Sequence, residues 1–532
     1  MYKMKRMGGF STPVKIMIIA VLVLLVIFPL VRMFTQMTPD DLSAVIKSPV
    51  FSEALINSVV LSAIATAISV ILALILAFSI VRTGIKWKGM WNVILTLPML
   101  IPSISHGMGL IILFGGNGIL KNLLGLQNSI YGNVGIVVGS VMYAFPVAYI
   151  MLADVLKYQD TSIYDAADIL GIGKVRQFLR LTLPYLARPL AAATFSSFAM
   201  IVTDYGVPLM IGGKVKTLSL LMYQEVIGQL QFGRGCVYGL FLIIPAVIAF
   251  VCDLLNKERG GTSFVKASTE REAGKLKNGG AYAVAVLVSL LALLPIAAFL
   301  ILAFAKSYPS DMTVTLKNFT DTMERGGLKY FTNSLVIALL TATAGTVLSY
   351  ACAYLTSRMK SSVSRVIHML VLAFMAIPGI VLGLSYVTTF SGSALYGTLF
   401  IIVMVNTAHF MSSPYLMMYN SFGKMNGNLE AVGATLGISR MRMIKDVFVP
   451  QSLSTIVEMF TYLFVNCMMT ISAVSFLATV DTKPISLMIN QFEAQRQYEC
   501  AAVVSILILV ANIIIKAVSG TAKTIIEGKK AK

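Results

Sequence analysis

Two short polar segments in a strongly apolar chain carry residue types whose spacing can do chemistry, and that chemistry is recognition rather than bond-making. The first reads Asp165-Ala166-Ala167-Asp168-Ile169-Leu170-Gly171, then nine residues, then Leu181-Thr182-Leu183-Pro184. The second reads Glu430-Ala431-Val432-Gly433-Ala434-Thr435-Leu436-Gly437, then nine residues, then Val447-Phe448-Val449-Pro450. Each pattern predicts a short helix, a glycine-permitted reversal, a second short helix and a proline stop before the next apolar run. Carboxylates in a first helical turn suit the macrodipole, and Ser162, three residues before Asp165, makes a capping-box variant. Ala166 and Ala167 keep one helix face small enough for another surface to approach, while Gly171 and Gly437 supply the freedom to turn. A single segment of this kind is equally well explained as an interfacial helix, with Val175, Phe178, Leu179 and Thr182 at helical spacing among Lys174, Arg176 and Arg180. Two of them at equivalent positions favour a docking element.

A second group of polar residues sits inside apolar runs, where burial is costly and a functional role is the default expectation. One run carries Ser103, Ser105 and His106 after Pro102; another carries Asp204 and Tyr205 before Gly206 and Pro208; a third carries Thr470, Ser472 and Ser475. These residues are candidates for lining a path through the membrane. Asp204 fits two roles: a functional one, meeting a cation or hydrogen-bonding across the halves, and a structural one, pairing with a hydroxyl or amide of a neighbouring helix. Three scattered histidines and five cysteines without CxxC spacing suggest neither a metal site nor a disulfide framework. No catalytic constellation is expected.

The elements that must position these residues follow from composition. A chain with 57% hydrophobic and 12% charged residues and a mean hydropathy of +0.83 cannot cover itself with a solvated surface. It is expected to be an all-α polytopic membrane protein. Apolar runs at about 16–34, 55–81, 91–114, 132–156, 187–212, 234–255, 281–304, 333–357, 366–390, 397–420, 452–477 and 500–518 give twelve spans of ordinary length. Residues 1–256 form a first half, 257–280 a polar linker and 281–532 a second half. The net charge of +19 gathers on alternate loops, as the positive-inside rule requires, which puts both polar segments, the linker and both termini in the cytoplasm of a plasma (inner) membrane. Nucleic acid is not an expected partner; the lipid bilayer is.

The halves are copies. Asn57–Arg82 aligns with Asn333–Arg358 without a gap at an offset of 276, which also pairs Pro102 with Pro378; Gly171 and Pro184 pair with Gly437 and Pro450 at 266. Two compensating length changes of ten residues account for the difference. One lengthens the first external loop of the second half, and the other lengthens the 110–135 region of the first. Six spans per copy give both copies the same membrane orientation, as parallel repeats.

The D-A-A-x3-G-x9-L-x-L-P pattern resembles the EAA loop of the inner-membrane permeases of binding-protein-dependent (type I) ABC importers, and the fused arrangement resembles the ferric-iron permease group in particular. The second loop departs from the pattern, with Glu430 seven residues before Gly437, Ala431 at the usual acidic position and Val449 in place of Leu. The resemblance implies coupling loops for cytoplasmic ATPase subunits, built from Asp165, Ala166, Ala167, Gly171, Leu183 and Pro184 in one copy. In the other they are Glu430, Ala431, Gly437, Val449 and Pro450. It further implies two ATPase partners that use ATP and Mg, an extracytoplasmic solute-binding protein and alternating access. No P-loop occurs, since Gly171-Ile172-Gly173-Lys174-Val175 lacks the spacing and the hydroxyl; no cofactor is expected on this chain, and it is not expected to be an enzyme. Ferric iron is the favoured solute, with 2-aminoethylphosphonate, sugar phosphate, thiamine and polyamine as alternatives. A secondary transporter of six plus six helices is the runner-up class, but it gives no reason for the duplicated loop.

Overall fold

The computed structural model describes residues 11–159, 162–257 and 275–530. Most of the linker expected at 257–280 therefore lies outside the described residues. Among the described residues ten helices are long and apolar enough to cross a membrane, from Thr12–Phe34 to Tyr498–Gly528, and two bent pairs bring the number to twelve. Among the described residues strand is confined to one hairpin, Ala305–Ser307 with Asp311–Val314.

Several apolar runs that read as continuous spans are broken. The third resolves into a helix Lys88–Thr96, a tight turn Leu97–Leu100 and a helix Ser103–Phe114. Its counterpart bends by 105° between Ser362–Ala376 and Gly379–Phe390. Proline is the cause: Pro102 and Pro378 cap the second helix of each pair and hold Ile101 and Ile377 in extended backbone. The fifth and eleventh runs end as helices at Thr203 and Met469, short of the expected 212 and 477. The chain then turns at Asp204 and Thr470.

The repeat is written in hydrogen bonds. The Ser58 hydroxyl accepts from the Leu218 amide at 2.8 Å, and the Ser334 hydroxyl accepts from the Ile485 amide at the same distance. The Ser219 hydroxyl donates to the Asp204 carbonyl at 2.8 Å, and the Ser486 hydroxyl to the Thr470 carbonyl at 2.7 Å. These bonds stitch the second span of each copy to the turn after its fifth.

The first span packs on the second half, and the seventh packs on the first half as well as on the last span of its own. Lys15, in the first span, donates to the Met359 carbonyl at 2.7 Å and to the Ser361 hydroxyl at 3.0 Å. Further along the same span, the Leu25 carbonyl accepts from Tyr386 at 2.7 Å. Reciprocally, Tyr282 of the seventh span accepts from the Lys86 amide at 2.8 Å, and Pro295 lies so close to Gly109 that an added Cβ would meet it at 2.5 Å. The two ten-residue length changes also touch. Tyr308, in the hairpin, donates to the Asn117 carbonyl at 2.7 Å within the extended 110–135 region. At the hairpin's end the Thr313 hydroxyl, the Lys306 ammonium and the Thr313 amide hold Asp311 well below the usual carboxylate range.

Candidate functional site

Both polar segments fold as expected up to the glycine. Helix Ser162–Ile169 is followed by Gly171 at φ +67°, and helix Leu429–Thr435 by Gly437 at φ +68°. Each reversal is closed by the same pair of bonds, Gly171 to the Asp168 carbonyl and Ile172 to the Ala167 carbonyl, then Gly437 to Ala434 and Ile438 to Gly433. A left-handed residue at this place satisfies carbonyls that the helix end would leave bare. The expected proline stop is absent. Lys174–Thr203 and Arg440–Met469 are each one helical run through Pro184 and Pro450. A single wide π turn, Phe178–Thr182 and Ile444–Phe448, precedes each proline. The widened ring makes room where a proline would otherwise clash with the preceding turn.

Asp165, Ala166, Ala431, Pro184 and Pro450 are exposed, Leu183 and Val449 half-buried, and Ala167 buried. Beside them stand exposed apolar side chains that sequence reasoning did not single out as a docking face: Ile169 and Leu170 in one loop, Val432, Leu436 and Met441 in the other. Val175, read from sequence as lying on the membrane face, belongs to the same exposed set. These faces are apolar with a basic rim, suited to a groove on another protein.

Glu430 does something else. Its carboxylate is gripped by Arg358 at the end of the eighth span, Nε to Oε1 at 2.7 Å and Nη2 to Oε2 at 2.5 Å. The same guanidinium donates to the Asn426 carbonyl at 2.8 Å and lies over the Phe448 ring. In the first copy Arg82 reaches Gln159 and lies over Tyr164, whose hydroxyl bonds Gln159 and Thr182 at 2.7 Å each. Glu430 thus corresponds to Tyr164, an internal anchor, and not to exposed Asp165.

The intramembrane candidates separate into two groups. Ser103 and Asp204 meet, the hydroxyl donating to Oδ1 at 2.6 Å, while the Val207 amide donates to Oδ2 at 2.9 Å. The carboxylate is thereby committed to joining two helices, the second of the roles read from sequence. Ser103 fills space left by Gly206; in the other copy Ser472 fills space left by Gly379. Tyr205 and Ser475 share a hydrogen bond between the halves. Tyr205 also stacks on Tyr223 with centroids 4.6 Å apart, Tyr223 faces Phe476 at 6.3 Å, and Asn490 donates to the Tyr223 hydroxyl at 3.1 Å. Ser105 and His106 point elsewhere, Ser105 to Ser505 at 3.1 Å and His106 Nε2 to the Pro98 carbonyl at 3.2 Å. Thr470 contributes its carbonyl to the turn described above. Among the described residues no three His, Cys, Asp or Glu side chains gather as a metal site. Tyr223, Phe476 and Asn490 were missed by sequence reasoning, since isolated aromatics in apolar runs carry no spacing signal.

An aromatic layer thus joins the halves where the fifth and eleventh spans end, and each span continues without a break from a loop at the opposite end. At 1.5 Å per residue, such a 30-residue helix is about 45 Å long. Two parallel helical copies, a central layer between them and two exposed loops define a membrane-embedded permease. The chain belongs to the family of binding-protein-dependent transport system inner membrane components, which it matches over residues 69–257 and 345–521. It is a permease subunit of an importer, with a transport role rather than an enzymatic one. It is 23% identical to the ferric transport system permease protein FbpB of Actinobacillus pleuropneumoniae, over 96% of this chain and 79% of that protein. Identity to the Fe(3+)-transport system permease protein FbpB 2 of Haemophilus influenzae is 22%, over 85% and 86%. The molybdenum transport system permease protein ModB of Azotobacter vinelandii is 30% identical over 28% of this chain and 68% of its own length.

Proposed function

We propose that this chain carries ferric iron across the membrane in an ATP-driven importer, docking one ATPase subunit on each of its two loops. Residues 1–256 and 281–532 act as the two permease halves, and the loops, the linker and both termini face the cytoplasm. Fe3+ reaches the outer face on a separate binding protein; the chain holds no cofactor, and the partner ATPases use ATP and Mg.

The observation that carries the coupling is continuity. When two docked ATPases close on ATP, each loop moves with the helix that grows from it, and the far ends of those helices, at Asp204 and Thr470, hold the layer of Tyr205, Ser475, Tyr223 and Phe476. Parting the halves breaks the Tyr205–Ser475 and Asn490–Tyr223 bonds and opens the path outward. Asp204 keeps the Gly206–Ile211 segment attached to Ser103 as this happens, so it positions the gate rather than capturing the ion. The near-full-length relation to ferric permeases supports the solute. A layer of phenol and hydroxyl oxygens, without a free carboxylate, suits an ion that must leave as readily as it enters.

The test is uptake by proteoliposomes holding the chain with its ATPase and binding protein. ATP-dependent accumulation of 55Fe3+ is expected, and Tyr205→Ala together with Tyr223→Ala is expected to raise ATP-independent leak. Uptake of 2-aminoethylphosphonate or thiamine with none of Fe3+ would refute the solute.

A further inference from the structure

Two cations at the loop of the second copy, Lys15 of the first span and Arg440, have no neutralising partner among the described residues. Lys15 is only 4% exposed, yet its ammonium bonds two uncharged oxygens, the Met359 carbonyl and the Ser361 hydroxyl. Arg440 stands on the other side of the same residue, its Nη1 4.0 Å from the Met359 sulfur, and it repels Lys15. The acids of this region are already engaged: Glu430 by Arg358 and Asp446 by Arg442. Among the described residues neither Lys15 nor Arg440 makes an ion pair. Lys360 and Arg365 are exposed alongside. Ser361 caps the helix Ser362–Ala373, and that helix turns its positive end to the same spot.

The first copy shows that this is a difference and not a property of the fold. The counterpart of Arg440 is Lys174, which is paired with Asp168. At the 266 offset that pairs the first span with the seventh, Lys15 corresponds to Ala281, and the neighbouring Tyr282 is a neutral phenol accepting from the Lys86 amide. Burying a cation without a counter-charge is costly, and the second copy does so where the first span meets the membrane surface on the loop-bearing side.

We infer that Lys15, Arg440 and the Met359–Ser361 turn form a binding site for an anionic phosphate group, supplied by a lipid headgroup or by a soluble phosphate. The ligand sits between the exchanged first span and the second coupling loop, so its occupancy braces that loop and leaves the first untouched. The site is independent of the solute carried and of the ATPase reading.

The experiment uses the purified full chain in neutral detergent. Bound lipid is counted by native mass spectrometry after titration with phosphatidylglycerol or phosphatidylcholine, and thermal unfolding is followed with each lipid and with inorganic phosphate. Phosphatidylglycerol is expected to bind and stabilise in preference to phosphatidylcholine, with affinity falling about fivefold for each cation removed in Arg440→Gln and Lys15→Met. Stabilisation by inorganic phosphate, lost in the same variants, would assign the soluble source instead and equally support the site. Lys15 is buried, so Lys15→Met can fail to fold; Arg440→Gln, on a half-buried loop side chain, then carries the test alone. Equal binding of every probe by wild-type chain and Arg440→Gln overturns the proposal.

Discussion

The two loops share one backbone and almost none of the side chains that hold it. The first is clamped by polar groups: Asp168 accepts from Lys174 and, at 2.5 Å, from Gln177, which also donates to the Ile172 carbonyl. Arg82 reaches the Gln159 amide oxygen and lies over the Tyr164 ring. In the second, the counterpart of Gln177 is Met443, whose sulfur packs so tightly on Gly433 that an added Cβ would meet it at 2.8 Å. An ion pair, with Arg358 6% and Glu430 27% exposed, takes over the anchoring. What the duplicated segment retains is the left-handed turn and the unbroken run into the next span. The clamp is free to change, so the turn and the unbroken helical run are what the proposed coupling would rest on.

The comparison breaks most directly at the shared feature. Gly171→Val with Gly437→Val places a branched side chain at positive φ twice, at about 2 kcal/mol of strain each, and ATP-driven uptake in proteoliposomes is expected to fall by more than about tenfold. Unchanged uptake and ATPase stimulation would dismiss the turn as a coupling element. Next comes the anchor. Arg358→Gln strands a half-buried carboxylate and is expected to cost about 2–3 kcal/mol, against about 1 kcal/mol for Tyr164→Phe, which removes the hydroxyl bonded to Gln159 and Thr182. Melting temperatures of the two variants in one detergent rank them, and equal losses would erase the distinction drawn between the anchors. Gly433→Ala is expected to destabilise by roughly 1 kcal/mol through crowding and to be relieved by Met443→Ala, whereas Ala167→Gly in the first loop brings no such partner dependence; a double-mutant cycle reads the coupling. Smallest is Asp168→Asn, an exposed pair worth about 0.5 kcal/mol. Hydrogen exchange is expected to quicken in residues 168–177 and to stay unchanged in 433–443.

The sequence made the duplication, the helical class and the two loops legible because each rests on local pattern: apolar length, offset and the fixed distance from glycine to proline. The place of Glu430 was legible too, since the 266 offset that pairs Gly171 with Gly437 pairs Glu430 with Tyr164; the acidic residue type outweighed the register. The turns at Asp204 and Thr470 were hidden, because the runs stay apolar across them and hydropathy records composition and not direction. Pro184 and Pro450 read as stops because a π turn leaves no trace in residue type. The aromatic layer was hidden for a third reason: Tyr205 and Phe476 come together only through packing of the halves.

That each first span packs on the opposite half sets a timetable for biogenesis. Lys15 and its acceptor Met359 are separated by 344 residues, so at ordinary elongation rates the first span waits roughly 20–70 s for its partner surface to be made. Until then its apolar side has lipid or the insertion machinery for company, and the first half lacks the wall that the seventh span will supply. Neither half can finish maturing on its own nascent segment.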